Sequence, residues 1–181
     1  STNSLVTRVL FEGTRAVGVE YIKDGQTVQA RASSEVVCSF GGFNEPRMLM
    51  LSGIGPADHL KSLGIPVVAD LPGVGQHLQD HLLVRMAWHL KQKQPALIIL
   101  SEVNLFTYSK PGMESRSPDL AYMFAPFFFP EYGPLDAGIT LVPVVAQPES
   151  WGTVTIKSNN PLDPPVISPN SIAASRSVVR S

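Results

Sequence analysis

Hydrophobic residues recur along this chain in several distinct patterns, and each pattern predicts a different element. Residues 5–11, 16–22 and 27–32 are rich in β-branched and apolar side chains and read as three strands. Glu12-Gly13-Thr14-Arg15 separates the first two, and Asp24-Gly25, a strong hairpin signal, separates the second from the third. Residues 35–40 differ: a near-continuous apolar run ending in Gly41-Gly42 predicts a strand buried on both faces, as in a parallel sheet. A helix is expected next. Asn44 or Glu45 is placed to cap it, Pro46 suits its first position, Met48 to Leu51 form its apolar face, and Gly53 ends it. Pro56 opens a second short helix closed by Gly64, followed by a brief extended piece over 65–69 and a turn at Pro72-Gly73-Val74-Gly75.

Beyond His81 the pattern is strand-like at 84–90, 102–108, 120–124, 139–145 and 153–157, with no convincing long helix, so a largely antiparallel sheet is expected. Within it, alternation sends Tyr122 and Phe124 into a sheet core; the alternative is that these two, with Phe127, Phe128 and Phe129, line an apolar substrate entrance.

Composition narrows the class. Hydrophobic residues make up 44% and charged residues 16%, which describes a folded globular chain. The 14 basic and 15 acidic residues nearly cancel and form no run, so neither nucleic acid nor an anionic membrane surface is an expected partner. No apolar stretch is long enough for a membrane segment. Cys38 is the single cysteine, which excludes an internal disulfide and fits a reducing compartment such as the cytoplasm. Residues 1–5 contain neither a basic region nor an apolar core, so no signal peptide is read there, and the sequence reads as one entered partway through.

The candidate chemistry starts where residues 35–40 run into Gly41-Gly42 and then into a helix. Glycine lets a ligand approach the backbone, and a helix start offers unpaired N–H groups, so the junction is a plausible cradle for part of a dinucleotide or an ordinary tight turn. His77, Asp80 and His81 are spaced for a metal site if helical; hydrogen bonding at a domain crossing is the stronger reading, and no metal site is assigned. His59 and His89 are lone histidines, expected on the surface or satisfied in the core.

The run Gly41-Gly42-Phe43-Asn44-Glu45-Pro46-Arg47-Met48-Leu49-Met50-Leu51-Ser52-Gly53-Ile54-Gly55-Pro56 closely resembles the second signature of the glucose–methanol–choline oxidoreductases. Further similarity lies in Ala16 to Tyr21, Glu35-Val36-Val37, Gly64 to Val68, Leu71 to His81, Gly152-Thr153-Val154 and Pro165 to Asn170. Phe40, Gly42, Glu45, His77 and Trp151 depart from the usual residues. The resemblance implies an α/β plus α+β fold: part of an FAD-binding Rossmann-like domain over 1–81, then part of a mostly antiparallel substrate-binding domain over 82–170. Residues 171–181 read as a tail foreign to the family.

It also implies FAD as cofactor and a small alcohol as substrate, with hydride passing to the flavin. Val6, Ser39 and Gly41 are the cofactor-binding residues it implies, each of which also reads as an ordinary strand or turn residue. No catalytic residue is assigned, because the family's Gly-x-Gly-x-x-Gly phosphate turn and its catalytic histidine match nothing in these residues, and the chain alone is expected to be inactive. A non-catalytic remnant and a small independent binding domain are the alternatives. No partner chain is indicated.

Overall fold

The computed structural model describes residues 2–92, 103–129, 131 and 138–171. They form two compact units. Unit 1 comprises Ser1–Leu78 and Trp151–Asn170, and unit 2 centres on Gln79–Ser150. The expectation places 151–170 in the second domain; here they pack with unit 1. Residues 172–181, expected as a tail, lie outside the described residues.

Unit 1 opens with an antiparallel meander of β1 (Ser4–Glu12), β2 (Arg15–Lys23) and β3 (Gln26–Arg31). Asp24 and Gly25 both adopt positive φ, 50° and 76°, the backbone twist that a two-residue hairpin of right-twisted strands requires. The β1–β2 register shifts between Val6 and Arg8, and the buried Thr7 hydroxyl in that gap donates to the Glu20 carbonyl at 3.1 Å. Arg8 donates to the Glu20 carboxylate at 2.8 Å and Gln29 at 3.3 Å, linking all three strands on one face. The Arg8 hydrogen bond, with partial burial opposing it, holds the Glu20 carboxyl below the usual carboxylate range.

The parallel strand expected over 35–40 does not form. These residues run outside any ladder, with Val36, Cys38 and Phe40 half-buried, Ser39 exposed, and Val37 76% exposed. An apolar run is buried on both faces only between flanking strands and covering layers, and the described residues supply no neighbouring strand here.

α1 (Asn44–Leu51) is capped by neither expected residue: Phe43 is its N-cap and makes no side-chain hydrogen bond. Pro46 is its third residue, where the missing N–H still falls among the four that lack intrahelical acceptors. Gly53, at φ +88°, ends it, and a Cβ there would collide with the Pro66 carbonyl. β4 (Ile54–Gly55), α2 (Ala57–Ser62) and β5 (Ala69–Asp70) follow, β4 and β5 forming a short parallel pair. Met50, Leu60, Ile65 and Ile156 make the core of this unit. Ile156 arrives with the returning segment, which forms β10 (Thr153–Thr155) and β11 (Val166–Ser168). That segment is fastened by reciprocal Leu78–Gly152 backbone hydrogen bonds of 3.0 and 2.8 Å. The buried Arg47 adds Nε–H donation to the Asp163 carbonyl at 3.1 Å and a second bond to the Pro161 carbonyl.

Unit 2 is an antiparallel sheet, as the sequence predicts. Its strands are β6 (Met86–His89), β7 (Val103–Thr107), β8 (Leu120–Ala125) and β9 (Gly138–Val145), in the order β6-β9-β8-β7. Residues paired directly across strands share a face, so Met86, Leu141, Phe124 and Val103 form one row. Leu105, Tyr122 and Pro143 form another, and Trp88 and Ile139 pair beside them. The opposite face, with Ala121, Ala125, Thr140, Val142 and Val144, is the buried one. Tyr122 and Phe124 therefore do not enter the core: the alternation is right, but the covered face is the one with the other parity.

Candidate functional site

The two segments that hold the candidate contacts are separate in sequence, and both belong to unit 1. Val6 lies half-buried on β1, paired with Tyr21. Because β1 is an outer strand of its sheet, some of its backbone groups point away from the ladder and can meet a ligand. Ser39 and Gly41 lie in the irregular run before α1. Gly41 has φ +84°, and a Cβ on it or on Gly42 would meet no atom within 4 Å, so the backbone there is open to close approach.

The start of α1 is not a vacant anion cradle. Glu45 lies in its first turn; its N–H donates to the Gly41 carbonyl at 2.9 Å, and its carboxylate accepts the Phe40 N–H at 2.9 Å. A carboxylate at this position already compensates the positive helix end and repels a phosphate. The junction thus suits the uncharged adenosine portion of a dinucleotide better than its pyrophosphate. Burial pushes the Cys38 thiol up, and the Glu45 charge pushes it further.

α1 reaches the other candidate segment through its last turn. The buried Ser52 hydroxyl donates to the Met48 carbonyl at 2.6 Å and accepts the Val9 N–H of β1 at 2.8 Å. Ser52, Glu45 and Arg47 organise these segments, a role that the sequence pattern does not assign to them. For Ser52 a signal was present: a small hydroxyl between an apolar helical run and a helix-ending glycine is buried and needs partners.

The other polar candidates do not converge. His77, at φ +59°, packs on the Trp151 ring at 4.5 Å, while Asp80 and His81 are exposed; among the described residues no group of three potential ligands forms. Half-buried His59 makes a 3.0 Å hydrogen bond with the Ile156 carbonyl, and exposed His89 meets the Phe128 ring edge-on. A cavity of about 350 Å³ beside Thr7, Arg8, Glu20, Leu51, Ile65 and Pro161 includes none of Val6, Ser39 or Gly41, and its one ion pair is internally satisfied.

Residues 1–83, which include every candidate contact, match the family model of the GMC oxidoreductases. Mitochondrial choline dehydrogenase of Homo sapiens is 42% identical over 92% of this chain and 32% of its own length. Residues 1–83 belong to the GMC oxidoreductase family. Alcohol dehydrogenase [acceptor] of Pseudomonas putida is 36% identical over 93% of this chain and 36% of its own length. The chain thus spans about a third of the length of these curated relatives. Among solved structures, pyridoxine 4-oxidase of Mesorbium loti matches at TM-score 0.78 and 25% identity, covering 97% of this chain and 38% of that one. Formate oxidase of Aspergillus oryzae RIB40 matches at TM-score 0.83 and 24% identity over 94% of this chain and 39% of that one, a likeness of fold. The GMC family is one of FAD-dependent oxidoreductases, and the open backbone at Gly41 and the outer edge of β1 are compatible with that cofactor. Among the described residues no helix is long and apolar enough to cross a membrane.

Proposed function

We propose that this chain supplies the adenosine-side scaffold and part of the substrate sheet of an FAD-dependent oxidoreductase acting on the CH–OH group of a small alcohol. The observation that carries the reading is the join of an irregular run, open glycines and a tied-down helix at 39–52, within the stretch that matches the family. Val6, Ser39 and Gly41 make backbone contacts to the adenosine half. Bound FAD supplies the hydride acceptor for the alcohol carbon. The pyrophosphate turn and the base that takes the alcohol proton are assigned to no residue of this chain.

The names of the relatives support an alcohol, choline among them, as substrate. The open face of unit 2, with Trp88, Tyr122 and Phe124 and no charged side chain in its rows, offers apolar and aromatic surface suited to an alkyl or quaternary ammonium group. We assign no nucleic-acid partner and, on the strength of the free Cys38, a reducing compartment such as the cytoplasm.

The test is to purify the intact polypeptide that carries this sequence in its source, denature it and identify the released cofactor by mass spectrometry. One FAD per chain is expected; FMN or no flavin defeats the proposal. The isolated 181 residues are expected to retain little FAD through gel filtration, and a tight one-to-one complex would show that these residues alone complete the site.

Unit 1 also carries a pH signature. With its folded-state pKa depressed, Glu20 contributes stability that is fully present above its unfolded value of about 4.3 and is lost as pH falls through the folded value. Urea midpoints should therefore fall below about pH 4, and E20Q should flatten that acid limb. An equally steep limb in E20Q would assign it to other carboxylates.

A further inference from the structure

We propose that α1 is a strut that fixes β1 and the Ser39-to-Gly41 run relative to one another, with Glu45 and Ser52 as the positioning residues at its two ends. The role rests on the FAD reading above only for what the two segments hold. At the first turn, the Glu45 carboxylate takes the Phe40 N–H at 2.9 Å and the Glu45 N–H binds the Gly41 carbonyl at 2.9 Å. The run 35–40 belongs to no sheet, so these two bonds do for its end what a ladder does for a strand. At the last turn, Ser52 grips the helix through the Met48 carbonyl and β1 through the Val9 N–H. Val9 lies three residues from Val6 on the same strand, beyond the register shift at Thr7.

Between these two ends α1 does not float. Met48 and Met50 are buried, and Arg47 is bonded to the carbonyls of Pro161 and Asp163. A rigid body held at its middle therefore carries a candidate contact segment at each end. Neither Glu45 nor Ser52 needs to touch the cofactor. Each acts through the segment that it holds.

Amide hydrogen exchange on this chain reads both ends. E45A is expected to raise exchange at Phe40 at least about tenfold while leaving Val9 unchanged, and S52A to do the reverse. E45Q, whose amide oxygen still accepts, should stay within about twofold of the parent. Leu49→Gly, which loosens the helix between the ends, should free both. Unchanged exchange at Phe40 in E45A, or E45Q behaving as E45A, overturns the proposal. So does L49G freeing neither end. If S52A fails to fold, the Glu45 end still decides.

In the intact polypeptide, E45A should weaken FAD binding at least about tenfold and E45Q by less than about threefold. Equal FAD affinity in E45A and parent removes the positioning role. If the parent holds no flavin, the cofactor reading falls, and the exchange results, measured without flavin, decide the strut alone.

Discussion

Gly75→Ala is expected to destabilise unit 1 by about 3 kcal/mol or more, among the largest effects of any single methyl group in the chain. Gly75 sits at φ +77°, where a side chain is strained by roughly 1–2 kcal/mol. A Cβ there would collide with the Val154 carbonyl oxygen and with Cε of Met50. The carbonyl is backbone of β10 and cannot swing aside, and Met50 is fully buried. Relief requires moving β10, which stretches the 2.8 Å bond from the Val154 N–H to the Gly75 carbonyl and disturbs Met50 in the core. Two residues earlier, Gly73 has open space where its Cβ would be, so Gly73→Ala should stay within about 0.5 kcal/mol of the parent. The two tryptophans separate the units, since Trp151 belongs to unit 1 and Trp88 to unit 2. Thermal melts of a W88F background, followed by Trp151 fluorescence, should show Tm falling by about 15 °C for G75A and little for G73A. Equal melting of the two would mean that β10 does not pack on Gly75 as described.

Phe128→Ala should cost unit 2 about 3–5 kcal/mol. Phe128 is 2% exposed and occupies the space left by Gly138, where a Cβ would fall inside its ring. The neighbouring Thr140 is fully buried and its hydroxyl donates to the Phe127 carbonyl at 2.9 Å, so loss of the ring also loosens a buried polar contact. Urea unfolding in a W151F background, read by Trp88, should show the lowered midpoint. An unfolding free energy within about 0.5 kcal/mol of the parent would place Phe128 outside the core.

Much of the fold was legible where local chemistry determines it. Asp24-Gly25 reads as a hairpin because two successive positive φ angles admit few residues, and Gly53 and Gly64 stop their helices for the same reason. Elsewhere the outcome depended on partners that sequence does not name. Residues 35–40 have the composition of a buried parallel strand and join no ladder among the described residues. Val166–Ser168 is exposed and flanked by prolines, so nothing local announced that it would pair with β10. The segment 151–170 carries strand-like alternation that fits either unit, and Gly75, Gly152 and Arg47 decide for unit 1 through contacts distant in sequence.

The candidate site divides along the same line. Val6, Ser39 and Gly41 were named by resemblance to a family, which picks backbone positions regardless of side chain. Glu45 and Ser52, which hold those positions, were not, because the direction of a side-chain oxygen is set by tertiary placement. Glu45 was read as a cap for its own helix and proves to hold the segment before it.

Anaerobic addition of a panel of small alcohols, choline included, to the purified intact polypeptide tests the proposed chemistry. If this chain is part of a GMC alcohol oxidoreductase at work, at least one alcohol should bleach the oxidised flavin absorbance, which readmitted electron acceptor restores. A flavin that no alcohol in the panel reduces, or a protein that binds no flavin, would contradict it.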